Sequence, residues 1–218
     1  MIRVAVAGVA GRMGKTLVQA INDSATLTFS AGFEHAGHPQ IGDDVGVVCG
    51  MGELGLEVSA DVQEQINDFD VVIDFTVPTA TLGLAQICAA QGKGMVVGTT
   101  GFDDAQLQAL RDCAQQTAIF ASPNMSVGVN LAMHLIELAA KALGDEVDIE
   151  VIEAHHKQKI DAPSGTAVRI GEVLASALGR DLTTDAVYAR QGITGARDAK
   201  TIGFSTIRGG DIVGEHTV

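Results

Sequence analysis

The sequence is poor in cysteine and in basic residues, and each shortage excludes a class of protein. The three cysteines, Cys49, Cys88 and Cys113, have neither Cys-x-x-Cys spacing nor a neighbouring histidine pattern, so we expect no disulfide scaffold and no cysteine-bound metal. Lys and Arg total 14 against 27 Asp and Glu, a formal net charge of −13. Nucleic-acid binding needs a basic face that neutralises phosphates, and we therefore expect no nucleic-acid partner.

A secretion signal and a long apolar run are also lacking. Residues 1–8 lead directly into a predicted strand, without a charged segment followed by a longer apolar core. No uninterrupted apolar stretch looks long enough to span a bilayer. We expect a cytoplasmic protein with free cysteines and without a membrane partner.

What the sequence does contain is apolar residues, 46% of the chain, which suffices for one large or two modest domains. Short apolar runs alternate with segments of helical spacing, a pattern that predicts parallel strands joined by crossover helices. We therefore expect an α/β fold whose N-terminal part is a Rossmann-type, doubly wound parallel sheet. The predicted strands are residues 2–7, 27–33, 69–75, 94–98 and 118–121, and the main helices after the first are residues 79–91 and 103–116.

The alternation ends at Ser122-Pro123-Asn124, where proline stops the last strand. A long apolar helix is predicted directly afterwards, over residues 126–143. We place a domain boundary here, with a dinucleotide-binding domain over residues 1–126 and an α+β, substrate-binding domain over residues 127–218. The second domain's other predicted elements are a strand at 148–156, a helix at 164–178, and strands at 201–208 and 211–218 joined by a Gly209-Gly210 turn.

A glycine run follows the first strand and opens the first predicted helix. Gly8, Gly11 and Gly14 have GxxGxxG spacing, and such glycines let the backbone approach a pyrophosphate bound at the helix start. Glu34 ends the second strand, where a carboxylate accepts hydrogen bonds from ribose hydroxyls. This pattern predicts a dinucleotide site, although glycines used only for turning and packing remain an alternative. Three neighbours are expected to contact the cofactor as well: Arg12, Met13 and His35.

Polar residues close two later strands at their carboxyl ends, where open α/β sheets bind ligands. We expect Phe75 to pack against a nicotinamide, and the threonines to offer hydroxyls to its carboxamide and ribose. The alternative is a core role for Phe75 and turn roles for the threonines. The cofactor contacts expected here are Phe75, Thr76, Gly98, Thr99 and Thr100.

The densest polar cluster spans residues 153–166. His155, His156, Lys157 and Lys159 place four potential cations within five residues, directly before the Ser164-Gly165-Thr166 start of a helix. Helix N-termini attract anions, so this cluster predicts a site for a carboxylate-bearing substrate. A solvated charged loop is the alternative, and we prefer it for Lys157.

Together these motifs resemble those of the 4-hydroxy-tetrahydrodipicolinate reductase (dihydrodipicolinate reductase) family. The similarity runs along essentially the whole chain. The 153–166 segment is specific to that family, whereas the glycine run is shared by many nucleotide-binding proteins. The other segments that carry the resemblance are Asp74-Phe75-Thr76, Gly98-Thr99-Thr100-Gly101 and residues 208–216.

The resemblance implies hydride transfer from NADH or NADPH to a cyclic unsaturated dicarboxylate, with loss of water, in the diaminopimelate and lysine route. It implies that His155 is the proton donor or acceptor and that Lys159 holds and polarises the substrate. It also implies a homotetramer assembled through the second domain. The substrate contacts expected by resemblance are Thr100, His156, Lys159, Ser164, Gly165 and Thr166, and further cofactor contacts are expected at Ser122, Asn124 and Met125.

The sequence departs from the family in two respects. Residue 35 is His where many members have Arg, and residue 77 is Val where some members have Arg. Because arginine grips a phosphate better than histidine does, we expect NADH to be used at least as well as NADPH. Family members also continue for several tens of residues beyond the position of Val218, so we expect the second domain to lack part of the family's C-terminal region.

Two other functions fit parts of the pattern. A different Rossmann oxidoreductase, such as a homoserine or semialdehyde dehydrogenase, shares the glycine run but not the 155–166 segment. A nucleotide-binding protein without catalysis would bind NADH and turn nothing over. An assay with the named substrate separates these possibilities.

Overall fold

A computed structural model describes all residues, 1–218, and the chain divides into two compact units, Met1–Met125 and Ser126–Val218. The first unit alternates strands with helices. Its elements are β1 (Ile2–Ala7), α1 (Arg12–Asn22), β2 (Leu27–Phe33), α2 (Val45–Cys49), β3 (Val58–Ser59), β4 (Val71–Asp74), α3 (Pro78–Gln91), β5 (Gly94–Val97), α4 (Asp104–Cys113) and β6 (Ile119–Ala121).

The six strands of the first unit form one sheet in the order β3-β2-β1-β4-β5-β6, and all five neighbouring pairs are parallel. The order reverses between β1 and β4, which is where sheets of this kind bind ligands. Alternate residues of β1 enter two different core clusters, Val4 and Val6 in one and Ala5 in the other. Both faces of the sheet are therefore covered, and the predicted Rossmann-type, doubly wound sheet is confirmed.

The second unit combines helices with a smaller mixed sheet. Its elements are α5 (Val127–Leu143), a 3-10 turn (Gly144–Glu146), β7 (Ile149–His155), α6 (Gly165–Leu178), α7 (Leu182–Asp185), β8 (Ala186–Val187), β9 (Ile202–Arg208) and β10 (Glu215–Thr217). The sheet order is β10-β7-β9-β8. Residues of α5 and α6 pack with β7 and β9 in one core cluster, which confirms the predicted α+β character.

The predicted hairpin between the last two strands is wrong. β10 pairs antiparallel with β7, and β9 pairs parallel with β7 on its other side, so β7 lies between them. Residues 209–214 cross the end of β7 instead of turning back on β9, and the Gly209 amide donates to the His155 carbonyl at 3.0 Å. The last strand is also shorter than the predicted 211–218. Its shortness follows from this crossing, which uses residues 211–214 as a connection.

Helix α5 is unusual in its exposure. By length and composition, residues Val127–Glu146 are long and apolar enough to cross a membrane, although only 6% of that window is buried. The window is interrupted by polar and charged residues, among them Asn130, Glu137 and Lys141, so the expectation that no uninterrupted apolar stretch spans a bilayer is unchanged. Helices that pack inside soluble proteins meet the same criterion, so length and composition alone do not distinguish a membrane-spanning helix from a helix of a soluble protein. The half-exposed apolar side chains of α5 include Leu131, Leu135 and Leu138.

Candidate active site

The glycine run forms a tight turn between β1 and α1. Gly8 has φ +70°, a conformation that favours glycine, and its amide donates to the Phe33 carbonyl at 2.8 Å. A Cβ on Gly14 would lie 2.1 Å from the Gly8 carbonyl oxygen, so α1 approaches the turn as closely as a residue without a side chain permits. No side chain caps the start of α1 at Gly11. The first amides of the helix are therefore available to a phosphate.

Glu34 lies beside this turn. Its Oε1 accepts a hydrogen bond from the Ala10 amide at 3.1 Å, which holds the carboxylate next to the glycine run at the end of β2. His35 is exposed, and its ring lies edge-on to His38, with centroids 5.4 Å apart. Arg12 and Met13 are also exposed at the start of α1. The structure thus brings these cofactor candidates together around one turn.

The ends of β4 and β5 meet at the same edge of the sheet. The Phe75 ring lies directly over Gly98, where a Cβ would be 2.0 Å from the ring. Asp74 is fully buried, and its Oδ1 accepts from the Thr76 amide at 2.8 Å. The Thr76 hydroxyl is buried without a hydrogen-bond partner in the protein. Such a hydroxyl costs free energy unless it is paired, so Thr76 offers an unused hydrogen-bonding group at this edge.

The remaining cofactor candidates differ in what their side chains can offer. Thr99 is buried, and its hydroxyl accepts from Thr81 at 2.9 Å, so only Thr100 of this pair exposes its side chain. The Ser122 hydroxyl donates to the Asn124 carbonyl at 2.7 Å and orders the segment after β6. Asn124 has further contacts, and Met125 is half-buried.

In the second unit the candidate residues gather at the end of β7. Glu153 and His155 are two residues apart on this strand, so their side chains lie on the same face. The His155 Nδ1 lies 2.6 Å from Glu153 Oε2, and Arg208 of β9 donates to both oxygens of Glu153 at 2.7 and 2.8 Å. Burial alone would raise the pKa of Glu153, but hydrogen bonds from Arg208, His155 and the Ser164 amide outweigh it and bring the pKa to about 2.

Lys159 lies on the loop between β7 and α6. Its Nζ forms an ion pair with the Asp161 carboxylate at 2.8 Å. The pKa of Asp161 is lowered, first by this contact with Lys159 and further by the backbone amide of Gly165 at the start of α6. Lys159 and the Gly165 amide therefore already act on one carboxylate, that of the half-exposed Asp161.

Ser164 caps α6, and its hydroxyl is engaged on two sides. It accepts from the Ala167 amide at 3.2 Å and shares a 2.9 Å hydrogen bond with Nε2 of His216 on β10. Ser164 is 2% exposed, so its hydroxyl shapes the helix start rather than facing a ligand. Burial, and next the neighbouring His155, lower the pKa of His216. The His155 and His216 rings are 5.2 Å apart in an edge-on arrangement.

The other predicted substrate contacts are more scattered. His156 follows His155 on the loop, and its Nδ1 is buried without a hydrogen-bond partner in the protein. Gly165 and Thr166 form the first turn of α6. Thr100, the sixth candidate, belongs to the first unit. Lys157, which we assigned to solvent, is exposed, and its backbone amide donates to the Gly210 carbonyl at 3.1 Å.

Sequence reasoning did not identify three residues that the structure adds to this site. Glu153 could have been found, because a carboxylate two residues before a histidine on a strand shares its face. Arg208 and His216 begin and end a segment that carries the family resemblance, but no local pattern assigns either of them to the site. They reach the site only because β9 and β10 pair with the two sides of β7, an order that the apolar pattern does not specify.

Comparison with known proteins gives a consistent result. A family profile described as the N-terminus of dihydrodipicolinate reductase matches residues 2–125, and one described as its C-terminus matches residues 128–218. A curated 4-hydroxy-tetrahydrodipicolinate reductase of Hahella chejuensis is 53% identical over all 218 residues, which cover 82% of that relative.

Solved structures agree with this similarity. A dipicolinate-bound dihydrodipicolinate reductase from Paenisporosarcina sp. TG-14 matches with a TM-score of 0.75 and 25% identity, over 99% of this chain and 82% of that one. GenD2 from gentamicin A biosynthesis, solved in complex with NAD, matches with a TM-score of 0.57 and 16% identity, over 82% of this chain and 54% of that one. The second likeness concerns the fold alone.

Proposed function

The chain belongs to the dihydrodipicolinate reductase family, and from that premise we propose which of its residues carry the reaction. The reaction is the NAD(P)H-dependent reduction of 4-hydroxy-tetrahydrodipicolinate to tetrahydrodipicolinate with loss of water, a step of diaminopimelate and lysine biosynthesis. The assignment of individual residues rests on the geometry of each unit.

The first unit fits a dinucleotide. The close approach of Gly14 to Gly8 makes room for a pyrophosphate, and the uncapped amides of α1 offer it hydrogen bonds. Glu34 accepts from the adenosine ribose, while Phe75 and the unpaired Thr76 hydroxyl lie at the nicotinamide end of the sheet edge. Bound NAD(P)H supplies the hydride. The protein's part is to hold the cofactor in place and to exclude water.

The single observation that carries the substrate assignment is the carboxylate already held by Lys159 and the start of α6. A dicarboxylate has two such groups, and dipicolinate, which is bound in the Paenisporosarcina relative, is a cyclic dicarboxylate. We propose that a substrate carboxylate displaces Asp161 from Lys159 and accepts from the Gly165 and Thr166 amides. His156, whose Nδ1 has no hydrogen-bond partner in the protein, is proposed as a further donor to the same ligand.

His155 is the residue proposed to move a proton. Hydride addition builds negative charge on the substrate, and a nearby imidazolium neutralises it by giving up a proton. Lys159 stabilises the same charge without losing its proton. Both groups belong to one short segment, residues 155–159, directly before the carboxylate-binding end of α6.

Substitution of these two residues tests the assignment. We expect His155→Ala and Lys159→Ala each to lower kcat by about a hundredfold or more, because general acid catalysis contributes roughly 10²–10⁴-fold. Affinity for NADH should remain within a few fold, since the cofactor candidates lie in the other unit. The measurement is NADH and NADPH consumption with freshly generated substrate, together with NADH titration of each variant.

Lys157→Ala is the matched control, because this exposed lysine lies in the same loop. Its hydrogen bond to the Gly210 carbonyl comes from the backbone amide, which the substitution preserves. It should keep kcat within a few fold of the unsubstituted chain. Near-normal turnover in both His155→Ala and Lys159→Ala would remove the catalytic assignment. Binding of NADH without any consumption in the unsubstituted chain would contradict the activity itself.

Three finer properties are part of the proposal. We propose that NADH is used at least as well as NADPH, because histidine and not arginine follows Glu34. A cytoplasmic location is supported by three free cysteines. A homotetramer is supported by Ile152 and Ile207, which are 41% and 50% exposed on the sheet face away from α5 and α6. Light scattering on the purified chain measures the oligomeric state.

A further inference from the structure

Glu153 is the most enclosed charged group of the second unit. The residue is 1% exposed, and each of its two carboxylate oxygens receives two hydrogen bonds. Oε1 accepts from the Ser164 amide at 2.9 Å and from Arg208 at 2.8 Å. Oε2 lies 2.6 Å from His155 Nδ1 and accepts from Arg208 at 2.7 Å. A buried carboxylate is tolerated only when it is paired and hydrogen-bonded in this way.

This environment fixes the tautomer of His155. With a pKa of about 2, Glu153 is ionised at any working pH, and an ionised carboxylate only accepts hydrogen bonds. The Nδ1 of His155 must therefore carry a proton and donate it to Oε2. The proton that His155 can gain or lose is then the one on Nε2.

The surroundings of Nε2 agree with this assignment. A Cβ on Gly214 would come within 3.0 Å of Nε2, so the glycine keeps this side of the ring clear of a side chain. The charged and titratable groups around His155 come from every neighbouring element. They are Glu153 on the same strand, Arg208 on β9, His216 on β10, and Lys159 and Asp161 on the following loop.

We infer that Glu153 is a positioning residue for the reduction: it holds His155 as the Nδ1–H tautomer, so that Nε2 exchanges the proton with the substrate. In that step the proton leaves Nε2, the Nδ1 proton stays in its hydrogen bond to Glu153, and Glu153 remains ionised. Arg208 neutralises the carboxylate without competing for the ring nitrogen. The inference rests on the proposed role of His155.

A purely structural role is the other explanation for a buried ion pair, and the chain contains a partly exposed counterpart, whose carboxylate is 33% exposed. Glu150 lies on the same strand and binds two arginines, Arg190 at 2.8 Å and Arg197. It is three residues from Glu153, so its side chain lies on the opposite face of the strand, and no histidine contacts it. Substitution of Glu150 therefore reports what the loss of an arginine-bound carboxylate on β7 does without touching His155.

The first measurement is of the ring nitrogens. ¹⁵N NMR of histidine-labelled protein distinguishes a protonated from an unprotonated nitrogen. We expect Nδ1 of His155 to be protonated in the unsubstituted chain at neutral pH, and the Nε2–H form to gain population in Glu153→Gln, because an amide can donate to Nδ1. An unchanged tautomer in Glu153→Gln would overturn the inference. So would a His155 that carries its proton on Nε2 before substitution.

The second measurement is kinetic. We expect Glu153→Gln to lower kcat by about a hundredfold to ten-thousandfold, which is the usual contribution of general acid–base catalysis; in a serine protease the change of the carboxylate behind the catalytic histidine to an amide costs about ten-thousandfold. Affinity for dipicolinate and NADH should stay within a few fold. Glu150→Gln should keep kcat within a few fold of the unsubstituted chain, and Glu153→Asp should recover part of the loss. A kcat for Glu153→Gln equal to that of Glu150→Gln would overturn the inference.

A third variant covers the case in which Glu153→Gln fails to fold. Glu153→Gln/Arg208→Met removes both charges, and replacing a buried pair with neutral residues is often tolerated. We expect this variant to fold and to remain as slow as predicted for Glu153→Gln, whereas full activity in it would show that only charge balance matters. If the unsubstituted chain does not reduce the substrate but the tautomer changes as expected, the proposed reaction and the positioning role in it both fail, and only the control of the His155 tautomer by Glu153 stands.

Discussion

Each unit contains an arginine bound to a carboxylate, and the two pairs differ mainly in burial. In the first unit Arg3 binds Asp70 at 2.6 Å, with side chains 45% and 46% exposed. In the second unit Arg208 binds Glu153 at 2.7 Å, with side chains 19% and 1% exposed. The pKa of Asp70 is about 2, chiefly through its hydrogen bond with Arg3, and the pKa of Glu153 is also about 2. The two carboxylates thus have similar pKa values, although one pair is exposed to solvent and the other is buried.

The difference follows from where each unit places its candidate site. The Arg3–Asp70 pair lies at the amino ends of β1 and β4, away from the carboxyl edge where the glycine turn and Phe75 gather. The first unit builds its site from backbone shape, and its ion pair is peripheral. In the second unit the ion pair contacts His155 itself. The Glu153–Arg208 pair of the second unit therefore contributes to stability and also to the proposed role of His155.

The largest expected effect comes from removing the buried carboxylate. We expect Glu153→Ala to destabilise the second unit by about 3–5 kcal/mol, as breaking a buried pair typically does. Asp70→Ala should have a much smaller effect on the first unit, because solvent screens an exposed pair. Chemical denaturation followed by hydrogen exchange locates the loss in each unit. Equal losses in the two variants would mean that burial does not separate the pairs.

Acid should destabilise the second unit as Glu153 becomes protonated. The folded-state pKa of Glu153 lies below its ordinary value of 4.5, so its contribution is fully present above about pH 4.5 and is lost as the pH falls towards about 2. The shift corresponds to an upper limit of about 3 kcal/mol. We expect the second unit to lose stability over this window and Glu153→Gln to reduce that loss, while other carboxylates with lowered pKa values, such as Glu150 and Asp161, keep the remainder. A second unit with constant stability between pH 5 and 2 would contradict the assignment.

A substitution of the glycine turn should damage the first unit's site alone. A side chain at position 14 would collide with the Gly8 carbonyl, and a displacement of about 1 Å costs roughly a hundredfold in a positioned site. We expect Gly14→Val to weaken NADH binding by about that factor and to leave dipicolinate binding unchanged, as measured by calorimetry.

Gly83→Ala is the control for this substitution, because a Cβ there meets nothing within 4 Å. It lies within α3 and should stabilise the helix by about 0.5–1 kcal/mol without affecting either ligand. Normal NADH binding by Gly14→Val would show that the turn does not serve the cofactor.

The smallest expected effect concerns the choice of cofactor. His35 lies edge-on to His38 beyond Glu34, and two imidazoles attract a 2′-phosphate only when protonated. We expect His35→Arg to shift the ratio of kcat/KM towards NADPH by about tenfold, equivalent to about 1.4 kcal/mol. A strong NADPH preference of the unsubstituted chain would contradict this interpretation of residue 35.

The contrast between the units also explains how much could be predicted from sequence. Strands such as β1 and β2 have the predicted bounds, because continuous apolar runs between helical segments specify buried parallel strands. The predicted glycine turn and Glu34 do lie together, since the motif is local. In the second unit β7 and α6 were predicted to within one residue at most ends, yet the hairpin was wrong. Side-chain pattern tells which residues face a core but not which strand pairs with which.

The predicted site shows the same limit. His155, Lys159 and Ser164 fall in one string of sequence and could be identified as a group, although Ser164 proves to have its hydroxyl engaged by Ala167 and His216. Arg208 is 55 residues from Glu153 along the chain. No local signal predicts that contact, because it depends on the parallel pairing of β7 with β9.

That separation has a consequence for synthesis on the ribosome. Chains fold from the N-terminus as they emerge, and contacts between distant residues form late. The first unit can complete its sheet once β6 has emerged. By contrast, β7 has to wait for about fifty further residues before β9 brings Arg208 to Glu153. Until then Glu153 lacks its arginine partner, and the second unit completes its core later than the first.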